Sequence, residues 1–392
     1  MGRADKMHSA ERKGSGFIKV RPAQMTLKSF WQRTRITLLA LGASILCIVV
    51  LLLLFSNAFL DSLKLFFVVP FANVYFFGNM LSYAVPLMIA GLGAAFAFAS
   101  HNFNLGGEGQ VYAGALVATV VALKAQGQGA QDVLTVRLVA LFAAALTGGL
   151  VGGFSGMLKR RLRVDEMISS FLASSLVVFV VDYLLAGPLK DPNSNFQATK
   201  TLPSAFGFAK ILPPSDLSVS IFWTLLLVML GKLVLDRTSF GFELKVSGAN
   251  KEFARYAGIN GDVYSVIPLV VSGALHALAG GVMIFSTYLK TIQGFSAGVG
   301  WDAIAVALIA NNNPVALVPS ALFFAYLDAG SKSAMMGSNV STELVTIAQA
   351  LVFFLITATT LPRAFGVHNW WRCGKARAAE EAATKAAQGP QQ

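Results

Sequence analysis

Between two long apolar runs the chain reads His101-Asn102-Phe103-Asn104-Leu105-Gly106-Gly107-Glu108-Gly109-Gln110. Asn102, Asn104, Glu108 and Gln110 bring donors and acceptors, while Gly106, Gly107 and Gly109 free the backbone and let another segment approach closely. Non-helical backbone at membrane depth persists only where protein or a water-filled cavity satisfies it. An ionisable residue there, such as Glu108, is a functional candidate. The same residues also fit a short interfacial loop whose polar groups meet headgroups and water, and the residues alone leave both readings open.

Two further stretches carry chemistry. In Arg237 to Asn260, Ser247-Gly248-Ala249-Asn250 reads as a turn or cap, followed by a short polar helix from Lys251 to Ala257 that Gly258 closes. Lys251, Glu252 and Arg255 give it charge, and Phe253, Ala254 and Ala257 small or apolar contacts. Such a helix can dock a soluble partner or simply be a solvated loop. In Ser296 to Pro314, Trp301 and Asp302 open an apolar run that Asn311, Asn312 and Asn313 stop. Asp302 is placed to cap that helix or to face a substrate. His276, among small residues, reads as a packed polar group, and His8 and His368 belong to the tails.

The elements holding these stretches are membrane helices. The 392 residues are 55% hydrophobic and 13% charged, about half the charge of a soluble domain. Apolar segments fall at 36–56, 65–77, 80–100, 109–124, 137–157, 167–187, 217–235, 263–287, 301–318, 319–330 and 344–361. The run Ile36 to Phe55 is too long for a signal-peptide core and no small-x-small cleavage site follows it, so it is expected to be a retained first span. The segment at 65–77 contains Pro70 and is expected to be re-entrant or interfacial.

The net charge of +12 raises the question of nucleic acid, but its distribution answers to topology. Most of the 31 Lys and Arg lie before residue 36, at Lys159 to Arg163, at Lys232 to Arg255 and from Arg363 to Lys385. The positive-inside rule puts all four segments, and so both termini, in the cytoplasm. The number of spans is then even, roughly eight to ten. The loop at about 188–216, with Asp191-Pro192-Asn193 and Pro213-Pro214, is expected outside. The fold class is therefore all-α and polytopic. A basic cytoplasmic arm at 1–35 precedes a transmembrane domain at 36–362, and a cytoplasmic tail at 363–392 follows it. Val85-Pro86-Leu87-Met88-Ile89-Ala90-Gly91 is echoed by Ile267-Pro268-Leu269-Val270-Val271-Ser272-Gly273, and each precedes a glycine-rich polar break. That pattern suits a two-half transporter plan.

Several chemistries are missing. No G-x-x-x-x-G-K-[ST] loop is present to cradle a phosphate, nor H-E-x-x-H, nor G-x-S-x-G. Cys47 and Cys373 form no metal or redox pattern. Any ATP-driven process requires another subunit as its engine. An ion-gradient transporter working through Glu108 or Asp302 is the competing class.

Phe103 to Gln110 resembles the FN(I/L)GGEGQ signature of ABC-transporter permeases of the nucleoside and simple-sugar type, within the branched-chain amino acid and ribose permease superfamily. Gly248 to Asn260 is similar to that group's GxNxxAARYAGIN segment, and Gly300 to Leu308 to its G(F/Y)DGIAVALLG segment, in the family's order. The resemblance implies an importer in which two permease chains form the pore and two ATPase subunits dock from the cytoplasm. An extracytoplasmic binding protein would deliver the ligand, a purine nucleoside in the first place, with riboflavin or a simple sugar as alternatives. It implies no cofactor on this chain, since ATP and Mg belong to the ATPase, and a bacterial inner-membrane location. It places Asn102, Phe103, Asn104, Gly106, Gly107, Glu108, Gln110, Trp301 and Asp302 along the translocation path. Gly248, Asn250, Lys251, Ala254, Arg255, Tyr256 and Gly258 then belong to the ATPase-coupling segment, at about 236–262. Two stretches depart from the pattern. Val164-Asp165-Glu166-Met167-Ile168-Ser169-Ser170-Phe171 stands for V-N-E-V-I-S-T-L, and Ala310-Asn311-Asn312-Asn313-Pro314 for G-(R/K)-N-x-P.

Overall fold

The computed structural model describes residues 58–127 and 132–337, with scattered positions at 42–53 and 347–354. The apolar runs at 36–56 and 344–361 lie almost entirely outside the described residues, and Cys47, Cys373 and the two tails lie wholly outside them. Every regular element described is a helix; β structure is confined to isolated bridges at Ala198–Ile292 and Lys210–Ser218. In chain order these are α1 (Phe59–Phe67), α2 (Val69–Ala72), α3 (Val74–Ala99), α4 (Gly107–Gly127), α5 (Val133–Leu162) and α6 (Glu166–Ala186). There follow α7 (Ser220–Arg237), α8 (Ser239–Ala249), α9 (Lys251–Tyr256), α10 (Gly261–Met283), α11 (Val299–Ile309) and α12 (Pro314–Gly337). A π-helical turn, Ile284–Tyr288, prolongs α10. Among the described residues, five helices are long and apolar enough to cross a bilayer: α3, α5, α6, α10 with its π turn, and α12. The chain is an all-α, multi-pass membrane protein.

Buried residues run without a break from Ala84 to Phe98, so α3 is enclosed on every side, as an all-round apolar helix must be. Its neighbours are α7, α10, α11 and α12, while α10 packs also on α4 and α5. The α5–α10 contact is backbone on backbone. A Cβ on Gly148 would lie 2.2 Å from the Gly273 carbonyl oxygen, and one on Gly273 would lie 2.1 Å from the Gly148 carbonyl. Lipid offers no hydrophobic drive between helices, so small residues that admit close approach hold such seams together. On the other side of α5, Leu138, Phe142, Leu146 and Phe154 are exposed, as lipid-facing residues would be.

Where the apolar runs break differs from expectation in one place. The Asn triplet stops α11, as expected, but the boundary between the segments at 301–318 and 319–330 falls inside α12, which starts at Pro314. Asn311 and Asn312 both take left-handed backbone (φ 50° and 57°), which Asn tolerates better than most residues. Pro319 sits in the second turn of α12, where its missing N–H forfeits the ladder bond to the Val315 carbonyl. The segment at 65–77 is broken twice, at Val68 and Asn73, and so spans the end of α1, the four residues of α2 and the start of α3.

The two described basic segments share one end of the molecule. Arg160 pairs with Asp262, and Lys232 and Lys245 both pair with Asp236, just beyond the apolar run of α7. Those two ammonium groups, Lys232 foremost, hold the Asp236 carboxyl below the usual range. The loop at 188–216 lies at the opposite end. Its Thr199 and Phe208 N–H groups donate to the carbonyls of Thr291 and Phe285.

Candidate functional site

The polar break after α3 is buried and bonded to protein. Asn102 donates to Ser100 Oγ and to the Tyr264 carbonyl, and accepts from Lys159 Nζ. Lys159 in turn pairs with Glu166 at 2.7 Å, both side chains nearly buried (15% and 12% exposed). Asn104 Nδ2 donates to Gln110 Oε1 and Ser272 Oγ, each at 2.9 Å, and its Oδ1 accepts from the Gly106 N–H. From α6, Ser170 and Ser174 accept the N–H groups of Leu105 and Gly109. The interfacial-loop reading is thereby overturned for Asn102, Asn104 and Gln110, because protein takes the place of headgroup and water. Phe103 packs its ring on Phe98. The glycines serve close approach: a Cβ on Gly107 would lie 2.7 Å from the His276 ring, and one on Gly109 2.5 Å from the Ser174 carbonyl. His276 is fully buried with Nδ1 on the Ser272 carbonyl, a packed polar group as expected.

The second break, after the π turn, docks on the first. Glu108 accepts from Ser296 Oγ and, at 2.9 Å, from the Gly300 N–H, so both carboxylate oxygens are engaged by protein. Each half thus runs a proline-containing helix, a non-helical connection and another helix, and the first turns of the two following helices meet at Glu108 and Gly300. Trp301 and Asp302 point apart. Trp301 leans on Phe171 of α6, whereas Asp302 accepts from the Tyr83 hydroxyl of α3 at 3.3 Å. Asp302 caps nothing, because α11 starts at Val299 after Gly298 and has no side-chain cap.

The short polar helix forms as expected, as α9. Asn250 Oδ1 accepts the Phe253 N–H at 2.9 Å, and Gly258 closes the helix with left-handed backbone at φ 78°. Gly248 in α8 abuts the end of α3, with its Cβ position 2.6 Å from the Ser100 backbone. Of the three apolar residues Ala254 is buried, while Phe253 and Ala257 face outward. With Lys251, Arg255 and Tyr256 (92% exposed) they form a projecting face, aromatic and basic.

A cavity of about 220 Å³ lies at the other end of α3 and α10. Tyr75, Asn79 and Tyr83 of α3, Tyr288 of the π turn, and Asp328 and Lys332 of α12 line it, and Asp216 closes it from the loop. Asp216 is tied there by its N–H to Asn79 Oδ1 at 2.8 Å. None of the path residues expected from sequence lines this cavity; Asp302 reaches its wall only through Tyr83. The available signal was an acid–base pair one turn apart inside the apolar run Pro314 to Met336, hidden because Lys332 counts as one scattered charge among many.

The family model described as branched-chain amino acid transport system/permease component matches residues 76–357. The chain belongs to that permease family. It is a membrane transport subunit and not an enzyme. A probable riboflavin import permease from Treponema pallidum (strain Nichols) is 32% identical to this permease over 297 residues, 76% of this chain and 78% of that one. A guanosine ABC transporter permease from Bacillus subtilis (strain 168) is 29% identical over 294 residues, with 74% and 83% covered. A glucose ABC transporter permease from Haloferax volcanii is 30% identical over 320 residues, with 77% and 82% covered. No solved structure matches the permease.

Proposed function

We propose that this chain is the membrane permease of an ATP-driven ABC importer that carries a nucleoside, purine nucleosides foremost, into the cytoplasm across a bacterial inner membrane. The observation that carries the reading is the placement of an aromatic and polar cavity and a projecting short helix at opposite ends of the same two helices, α3 and α10. An extracytoplasmic binding protein delivers ligand at the cavity end. At the other end Gly248 to Gly258 meets the ATPase subunit, which binds ATP and Mg. The cavity is smaller than the roughly 300 Å³ at which ligand pockets begin. In this reading the cavity receives only the ring system of the ligand, and a second permease chain completes the path. The residues Asn102 to Gln110, with Trp301 and Asp302, belong to the wall of that path, where Asn102, Asn104, Glu108 and Gln110 are held by bonds to protein.

The tyrosines of the cavity favour a flat ring over a bare sugar. Riboflavin is the second reading, supported by the relative named for it at 32% identity. A thermal-shift screen of the partner binding protein with inosine, guanosine, riboflavin and ribose tests the choice. Stabilisation by guanosine and inosine is expected; stabilisation by ribose or riboflavin alone overturns the nucleoside assignment.

A further inference from the structure

In α12, Lys332 Nζ sits 2.7 Å from Asp328 Oδ2 and 4.9 Å from the centroid of the Tyr83 ring. The Tyr83 hydroxyl continues the chain of contacts to Asp302. Charges in a spanning helix are costly and typically mark substrate pathways. The ion pair itself joins two residues of one helix, Lys332 also reaches Tyr83 of α3, and the group faces the cavity. Its two members differ in access. Asp328 keeps 16% of its side chain exposed and Lys332 keeps 53%. An ammonium has three N–H donors. Asp328 takes one and the tyrosine face satisfies the charge from a second side, so donor capacity remains toward the void. A carboxylate lone pair and an ammonium N–H therefore stand side by side next to aromatic rings.

The complement of that arrangement is a ring carbonyl beside a ring N–H, the lactam edge of guanine, hypoxanthine or a flavin. Adenine presents the opposite polarity at that edge, and a free sugar has no flat face to stack. Resting on the importer reading above, we infer that Asp328 and Lys332 form a recognition pair for the lactam edge of a heterocyclic base: Lys332 donates to the carbonyl and Asp328 accepts the ring N–H. Tyr83 supplies the platform that holds Lys332 in place.

The test uses the complete transporter, reconstituted in proteoliposomes with its ATPase and binding protein, and follows uptake of guanosine, adenosine, riboflavin and ribose. Lys332→Met and the charge-neutral pair Lys332→Met/Asp328→Asn are each expected to lower guanosine uptake by about tenfold. Both variants should co-purify with the ATPase and unfold at the wild-type temperature, which separates a recognition role from a folding defect. Guanosine uptake within about twofold of wild type in both variants overturns the inference. So does a lowered unfolding temperature or loss of the ATPase in both, since the pair would then be structural. A wild-type complex that carries ribose but neither guanosine nor riboflavin defeats the nucleoside reading itself, and is told apart because the variants need not be made to see it.

Discussion

The Glu108 carboxylate, at the start of α4, accepts the Gly300 N–H at the start of α11 across 2.9 Å. Its other oxygen takes the Ser296 hydroxyl, so one side chain fastens the two polar breaks of the chain to each other. Glu108→Ala leaves two donors without partners in a largely enclosed place, and should cost about 1–3 kcal/mol of stability. Glu108→Gln keeps one acceptor and should cost less. Thermal unfolding of the purified protein in detergent checks the order. If Ala and Gln lose uptake equally while unfolding at the wild-type temperature, the carboxylate acts on substrate and not as a fastener.

The α5–α10 seam gives a sharp comparison between neighbouring residues. Gly148→Ala would drive a methyl to 2.2 Å from the Gly273 carbonyl, and separating the helices should cost roughly 1–3 kcal/mol. Gly149→Ala meets only ordinary contacts, the nearest 3.4 Å away on Val270, and should be neutral or gain up to about 1 kcal/mol from helix propensity. Comparing the yield and unfolding temperature of the two variants decides it; equal behaviour would mean the seam is looser than described.

Lys159 and Glu166 link the end of α5, the start of α6 and Asn102. Lys159→Met strands Glu166 in a nearly buried place and should destabilise the protein by roughly 3 kcal/mol. The double change Lys159→Met/Glu166→Gln should recover much of that loss, because it removes the uncompensated charge together with its partner. A double-mutant cycle on unfolding temperatures reads the coupling, and additive losses would count against it.

For α9, Asn250→Ala removes the cap and should weaken the helix by about 1 kcal/mol. Lys251→Glu with Arg255→Glu leaves the cap intact and reverses the projecting charge. Co-purification of the ATPase subunit is expected to fall sharply with the charge reversal and only mildly with the cap change. Retention of the ATPase by the reversed variant would remove α9 from the coupling role.

Much of this architecture was readable from residues. The apolar runs at 109–124, 137–157, 167–187, 217–235 and 263–287 match helices to within a few positions, and Asn250 and Gly258 announced the ends of α9 by their own chemistry. The burial of Asn104 and Gln110 was not readable, since their partners, Ser272 and each other, are fixed only when α10 packs against the break. The stop at Asn311–Asn313 was legible, since asparagine tolerates the left-handed backbone that ends a helix, whereas the boundary between 318 and 319 falls inside α12 and marks no break. The cavity was least visible of all. Tyr83, Asp216, Tyr288 and Lys332 come from four separate parts of the chain, and no local pattern joins them.

Tyr264 lies beside the basic end of α10, where its hydroxyl donates to Glu243 of α8, and Tyr288 lies in the cavity wall. Helix joins them without a gap, a strut of roughly 36 Å at 1.5 Å per residue. Rocking such a strut by about 5° at the Tyr264 end sweeps the Tyr288 ring through roughly 3 Å, about the length of a hydrogen bond. A tilt too small to break any helix is thus enough to make or release a ligand's polar contacts.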